Sequence, residues 1–165
     1  MRSVKVIIIG GVAGGASAAA RLRRLDEKAE IIMLERSGYI SYANCGLPYY
    51  IGGVIREKGA LSVQTPESFG GRFRIDVRVR NEAISIDPKE KTVRVRNLET
   101  GEEYTETYDK LLLSPGAKAI RPALPGIEDA RIMTLRTVED TLAIREYLEE
   151  KKPKRAVVVG GGFIG

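Results

Sequence analysis

From Val4 to Ile9 the chain is β-branched and almost wholly apolar, the pattern of a parallel strand covered on both faces. Gly10 to Gly15 then predicts a turn, Ala16 to Leu25 has the composition of a helix, and Glu30 to Glu35 returns as a second apolar strand ending in a carboxylate. Further on the pattern changes. Ala83 to Asp87, Thr92 to Asn97 and Glu103 to Tyr108 alternate or carry β-branched residues and are separated by turn-forming stretches, which predicts a three-stranded antiparallel meander. Leu111 to Leu113 reads as a short buried strand running into Ser114-Pro115-Gly116, where the backbone must turn close to something. Thr137 with Asp140 predicts a capped helix that runs to about Lys151 and stops before Pro153, and Arg155 to Val159 reads as one more apolar strand. The predicted class is α/β: a parallel sheet with a crossover helix, joined to an antiparallel meander.

Two glycine motifs give that pattern a chemical direction. Gly10, Gly11, Gly14 and Gly15 fall in one loop between strand and helix, where the missing Cβ atoms let a pyrophosphate approach the backbone and the helix N-terminus offers N–H groups. Glu35 ends the next strand 25 residues after Gly10, about where a dinucleotide fold places the acid that binds ribose hydroxyls. The Gly-x-Gly-x-x-Gly spacing departs at its second position, Val12, and resumes at Gly15. A turn that merely joins strand to helix is the plainer alternative, and the flanking strand, helix and Glu35 argue against it. The second motif, Gly160, Gly162 and Gly165, is intact and follows the last apolar strand. A parallel strand ending in this motif feeds a crossover helix and a further strand, so the sequence reads as the opening part of a longer protein with two nucleotide sites.

Composition narrows the chemistry. At 165 residues, 43% hydrophobic and 30% charged, the chain is long enough for a real core. It has no histidine, which excludes His-containing zinc sites and His-based triads, and no metal is expected. The formal charge of +5 is spread along the chain without an aromatic stacking platform beside it, so a small phosphorylated ligand is expected rather than nucleic acid. Arg2, Lys5 and the apolar run that follows imitate a secretory signal, but glycines break the run five residues in and leave it too short to span a bilayer; no membrane partner is expected.

Cys45 is the only cysteine, which excludes a disulfide-stapled scaffold and favours a reducing, cytoplasmic setting. A lone cysteine has no internal partner, so its oxidised form is a sulfenic acid or a mixed disulfide with another molecule. The substrate class is therefore a small thiol, disulfide or peroxide. Pro48 suits the first turn of a helix just beyond, a setting in which reactive thiols occur, and Ser41 and Asn44 are hydrogen-bonding neighbours able to orient thiol or substrate. A buried, inert thiol is the plainer alternative, and the polar flanks argue against it. On the first helix Ser17, Arg21 and Arg24 are spaced by four and three, so at about 100° per residue they form one polar, basic ridge, with Leu22 and Leu25 pointing elsewhere. A solvated helix face is the alternative reading of that ridge.

Val-Ala-Gly-Gly-Ala-Ser at 12–17, Ser-Tyr-Ala-Asn-Cys-Gly-Leu-Pro at 41–48, Leu-Leu-Leu-Ser-Pro-Gly-Ala at 111–117 and the second glycine motif occur in one order. Together they resemble the N-terminal part of the single-cysteine, FAD-dependent disulfide reductases, the coenzyme A disulfide reductase family above all. The resemblance implies a Rossmann-like FAD-binding segment over 1–126 and the linker, helix and beginning of an NAD(P)-binding domain over 127–165. It implies that Gly10, Gly11, Val12, Ala13, Gly14 and Gly15 hold the FAD pyrophosphate, that Glu35 with Arg36 holds its ribose, that Ala83 meets the adenine through its backbone, and that Ser114, Pro115 and Gly116 line the cofactor. Gly160, Gly162 and Gly165 are expected to bind NADH or NADPH, with Cys45 relaying electrons to coenzyme A disulfide or persulfide. Ser17, Arg21, Arg24, Ser41 and Asn44 are expected to contact that substrate, and the full-length protein is expected to be a homodimer. The family also places a lysine a few residues after Thr65-Pro66-Glu67, where this chain has Phe73 between Arg72 and Arg74. Relatives that act on peroxide or oxygen carry a histidine where Ala13 stands here, which shifts weight toward disulfide or persulfide reduction over NADH oxidase or peroxidase activity. A non-catalytic flavin-binding module is the reading from a different class.

Overall fold

The computed structural model describes residues 2–161. In chain order the elements are β1 (Lys5–Ile9), α1 (Ala13–Leu25), β2 (Glu30–Glu35), α2 (Leu47–Ile51), α3 (Pro66–Phe73), β3 (Asp76–Val79), β4 (Asn81–Asp87), β5 (Thr92–Asn97), β6 (Glu103–Thr107), β7 (Lys110–Leu113) and α4 (Val138–Lys151). They fall into two compact units, Met1–Tyr42 with Ser62–Gly116, and Ala43–Leu61 with Ala117–Gly165.

The first unit holds both sheets. A four-stranded parallel sheet has the order β3-β2-β1-β7, and β4-β5-β6 is a separate antiparallel meander. Side chains alternate across a strand, and here alternate residues serve two different cores. Val6 and Ile8 of β1 and Ile31 and Met33 of β2 pack with Ala16 and Ala19 of α1 and Phe69 of α3. Ile7, Ile32 and Leu34 point the other way, onto Val93 and Val95 of the meander. This explains why β1 and β2 read as unbroken apolar runs: each face is covered. Each such side chain contributes about 1.5–3 kcal/mol on burial. Ion pairs fasten the meander to the sheet, with Glu106 of β6 between Lys5 (2.7 Å) and Arg78 (2.7 Å).

In the second unit α4 begins with the expected capping box: the Thr137 side chain accepts from the Asp140 N–H, and the Asp140 carboxylate accepts from the Thr137 N–H. Val138 and Thr141 are buried, as are Leu47 of α2 and Leu61. Arg145 of α4 donates to the carbonyls of Tyr50 and Ile51 at the end of α2. Among the described residues, no helix is long and apolar enough to cross a membrane.

Two expectations need correction, and two elements are new. Arg155 to Val159 is not a strand: no ladder pairs with it among the described residues, and Val157 and Val159 are 87% and 95% exposed. An apolar β-branched run has strand propensity, but it becomes a strand only against a partner. Leu25, read as an apolar residue pointing away from the basic ridge of α1, is 68% exposed. The buried face instead runs through Ala16, Ala19 and Arg23, spaced by three and four. Finally, α3 and β3 are two elements that the hydrophobic pattern did not announce.

Candidate active site

The glycine turn sits at the carboxyl end of β1, between β2 on one side and β7 on the other. This is a point where strand order reverses, the place where open α/β sheets bind ligands. Gly10 has φ +98°, and a Cβ there would run into the Ser114 carbonyl at the end of β7. A Cβ on Gly15 would run into the Gly10 carbonyl, and one on Gly14 would stand 3.0 Å from Ser114 Oγ. Gly11 faces Ile40 and Met33 with no room for a side chain. Gly10 and Gly15 are thus fixed by backbone packing and Gly11 and Gly14 by neighbouring side chains, and they bring the turn, Ser114 and the end of β1 together. Pro115 and Gly116 follow as exposed coil, with φ +72° at Gly116.

Glu35 closes the other side. Its Oε2 accepts from the Gly11 N–H (2.8 Å) and its Oε1 from the Ser37 N–H (2.7 Å). A carboxylate has about four acceptor positions, so each oxygen retains capacity for a further donor such as a hydroxyl. Arg36 is exposed and pairs with Glu82 (3.6 Å). The N-terminus of α1 has Val12 at the cap position, no side-chain cap and no acidic residue in the first turn. A diphosphate would meet the uncapped N–H groups of α1, glycines without Cβ atoms and no acidic residue in that first turn, while Glu35 holds the Gly11 N–H beside it, so the residues present fit a flavin dinucleotide. Ala83 lies on β4 at a register shift against β5, partly buried on the core of the meander.

A cavity of about 510 Å³ opens beside this turn, entirely within the first unit. Val12 and Ala13 form one end; Ser17 and Arg24 of α1, Ser41, and Arg72 and Phe73 of α3 form its walls. The ridge foreseen on α1 is exposed throughout, but only Ser17 and Arg24 of it line the cavity; Arg21 does not. Holding the two walls together is Arg23, 8% exposed, which donates to the carbonyls of Phe73 (2.7 Å), Arg74 (2.7 Å), Glu27 (2.9 Å) and Asp26 (3.2 Å). Sequence reading passed over Arg23 and gave Arg72, noted beside Phe73, no role. An arginine on the alanine stripe was a usable signal for the first, and Thr65-Pro66 with Ser68, the N-terminal cap of α3, for the second.

In the second unit Cys45 is exposed, in a single helical turn, Asn44–Gly46, directly ahead of α2, with Pro48 in the first turn of that helix. Asn44 is partly buried, and its Oδ1 accepts from Arg136 (3.3 Å), which also donates to the Ala117 carbonyl (3.3 Å). An arginine can only donate, so this bond turns the Asn44 carbonyl toward Arg136 and leaves the amide N–H groups as its remaining donors. Gly160 has φ +113° and is exposed; Gly162 and Gly165 lie outside the described residues. Among the described residues, no group of three acidic or sulfur ligands is arranged for a metal.

Residues 4–165 match the model of the pyridine nucleotide-disulphide oxidoreductases. The chain belongs to that family. Within it, the coenzyme A disulfide reductase of Staphylococcus haemolyticus is 43% identical over 160 residues, which are 97% of this chain and 36% of that one. The crystal structure of the reduced Bacillus anthracis protein described as CoADR-RHD superposes with a TM-score of 0.96 at 58% identity, over 99% of this chain and 30% of that chain. An NAD-dependent persulfide reductase from A. fulgidus is 37% identical with a TM-score of 0.83, over 88% of this chain and 27% of its own. The chain thus spans about a third of the length of its oxidoreductase relatives, and the Rossmann-like architecture of this family is the one described above.

Proposed function

We propose that this chain is the FAD-binding and cysteine-bearing portion of a reductase that cleaves coenzyme A disulfide or persulfide with electrons from NADH or NADPH. The observation that carries the reading is the lone, exposed Cys45 in a chain that matches a coenzyme A disulfide reductase across 97% of its length. The Cys45 thiolate attacks a coenzyme A sulfur of the substrate; the substrate S–S bond breaks, coenzyme A thiolate leaves from the disulfide or hydrosulfide from the persulfide, and coenzyme A remains on Cys45 as a mixed disulfide. FAD held by the glycine turn would supply the electron pair, drawn from NADH or NADPH, for release of the second thiol and return of the Cys45 thiol. Gly10 to Gly15 receive the FAD diphosphate, Glu35 orients the ribose, and Ser114 with Pro115 and Gly116 borders the cofactor. Ser17, Arg24 and Ser41 receive the nucleotide end of the substrate, Arg21 adds an exposed positive charge on the same helix, and Asn44 donates to the substrate near Cys45. Ala13 puts a methyl group where peroxide-reducing relatives carry a histidine, which favours the disulfide or persulfide over a peroxide.

The test is intact mass spectrometry of the protein purified without reductant, beside Cys45→Ser. The expected result is an adduct of coenzyme A mass that dithiothreitol removes and the variant lacks. An unmodified or merely oxygenated Cys45 would overturn the reading in favour of an NADH oxidase or peroxidase.

A further inference from the structure

We propose that Arg72 is a specificity residue of the cavity, binding a phosphate of the ligand's nucleotide end together with Arg24; this rests on the substrate reading above. The family resemblance directs attention to position 73, where a phenylalanine stands in place of the expected lysine. The geometry points one residue earlier. Arg72 lines the cavity from the last turn of α3 and Arg24 lines it from α1. Among the described residues neither forms an ion pair, whereas Arg78, Arg96, Arg131 and Arg145 each hold a carboxylate within 3 Å. A basic side chain at a helix C-terminus is favoured by the dipole alone, and that would suffice if Arg72 pointed to solvent. It does not stand alone. Its guanidinium lies over the Phe73 ring, 5.4 Å from the centroid, and Phe73 in turn packs on the buried Phe69 at 4.8 Å. Phe73 therefore serves as the platform and Arg72 as the charge.

Arg23 makes the separation of the two cations a built feature. Two of its hydrogen bonds hold the carbonyls of Phe73 and Arg74, at the end of α3, and two hold the carbonyls just beyond α1. The turns that carry Arg24 and Arg72 are thereby fastened to each other. Two unpaired guanidinium groups, the Ser17 hydroxyl and an aromatic wall in about 510 Å³ suit a ligand with two phosphates and a purine.

Calorimetric titration of the protein with adenosine 3′,5′-bisphosphate and with adenosine separates the charge from the ring. Arg72→Met is expected to weaken the bisphosphate about tenfold and leave adenosine unchanged, Arg72→Lys to lose less, and Arg74→Met to bind as the parent does. Thermal unfolding of each variant, run alongside, identifies any loss that comes from misfolding, and Arg72→Lys then carries the test. Equal bisphosphate affinity in parent and Arg72→Met overturns the role of Arg72 and leaves the substrate reading intact. Failure of the parent to bind the bisphosphate overturns the nucleotide reading of the cavity as well. If the bisphosphate binds through Arg72 but no coenzyme A adduct forms on Cys45, the phosphate site stands and the reductase reading falls.

Discussion

The N-termini of α1 and α4 are built in opposite ways. At α4 the cap is supplied from within, with Thr137 and Asp140 exchanging side-chain and backbone hydrogen bonds, and α3 repeats the device with Thr65 and Ser68. At α1 the cap position is Val12, no side chain accepts from the first turn, and glycines clear the approach. A capped terminus contributes about 1 kcal/mol to stability and has nothing left to offer; an uncapped one forgoes that and can receive an anion. The same division separates two glutamates of one unit: Glu106 is enclosed by two cations, whereas Glu35 meets only backbone N–H groups. Saturated polar groups hold this fold together, and partly satisfied ones mark where a ligand belongs.

The sharpest way to break that contrast is to exchange glycine for alanine at matched helical positions. Gly15 in α1 and Gly71 in α3 both lie within helices, yet a Cβ on Gly15 meets the Gly10 carbonyl while one on Gly71 meets nothing within 4 Å. Gly15→Ala is expected to cost about 3 kcal/mol and to abolish retention of FAD, because the turn must shift to admit the methyl group. Gly71→Ala is expected to gain about 0.5–1 kcal/mol from helix propensity. Urea unfolding of the two variants checks both signs, and a neutral Gly15→Ala would show that the turn is not held by packing.

A smaller effect follows from moving a cap. Thr137→Ala removes a working one and is expected to cost about 1 kcal/mol. Val12→Asp supplies one where none stands, and is expected to stabilise the flavin-free protein by about 0.5 kcal/mol while weakening FAD at least tenfold, since the new carboxylate occupies the anion's place. Thermal unfolding and flavin fluorescence read the two halves separately. Tighter FAD binding in Val12→Asp would contradict the assignment of that terminus to the diphosphate.

How much of this was legible beforehand depends on which force decides each element. β1 and β2 were readable because their side chains are sorted between two cores, and the meander because β5 alternates between one core and solvent; hydrophobic pattern reports such sorting directly. The cap of α4 was readable because its chemistry is local. α3 and β3 were missed for the converse reason. Pro66-Glu-Ser-Phe-Gly-Gly-Arg-Phe73 has two glycines and one buried residue, Phe69, so its helix depends on a cap and on tertiary contact with α1. Within the candidate site, the glycines and Glu35 announced themselves by spacing. Arg23 and Arg72 did not, since an arginine bonded to four carbonyls and an arginine resting on a ring look alike in sequence.

The gentlest test addresses the saturated glutamate. Burial alone would raise the Glu106 pKa, but hydrogen bonds from Lys5 and Arg78 outweigh it and hold the carboxyl below the usual carboxylate range. A group depressed on folding contributes stability that is fully present above its unfolded value, about 4.3 for glutamate, and that is lost as pH falls through its folded value. Between those two values the unfolded chain binds the additional proton. Glu106→Gln is therefore expected to cost under about 1 kcal/mol at pH 7, the range of partly exposed pairs, because Lys5 keeps Glu30 (3.3 Å) and Arg78 keeps Asp76 (2.6 Å). Its acid limb should also be flatter below about pH 4 than that of the parent. Urea midpoints measured from pH 7 to pH 3 give both numbers. Parallel acid limbs would mean that Glu106 is not held as its two cations imply, and the distinction drawn between it and Glu35 would lose its electrostatic half.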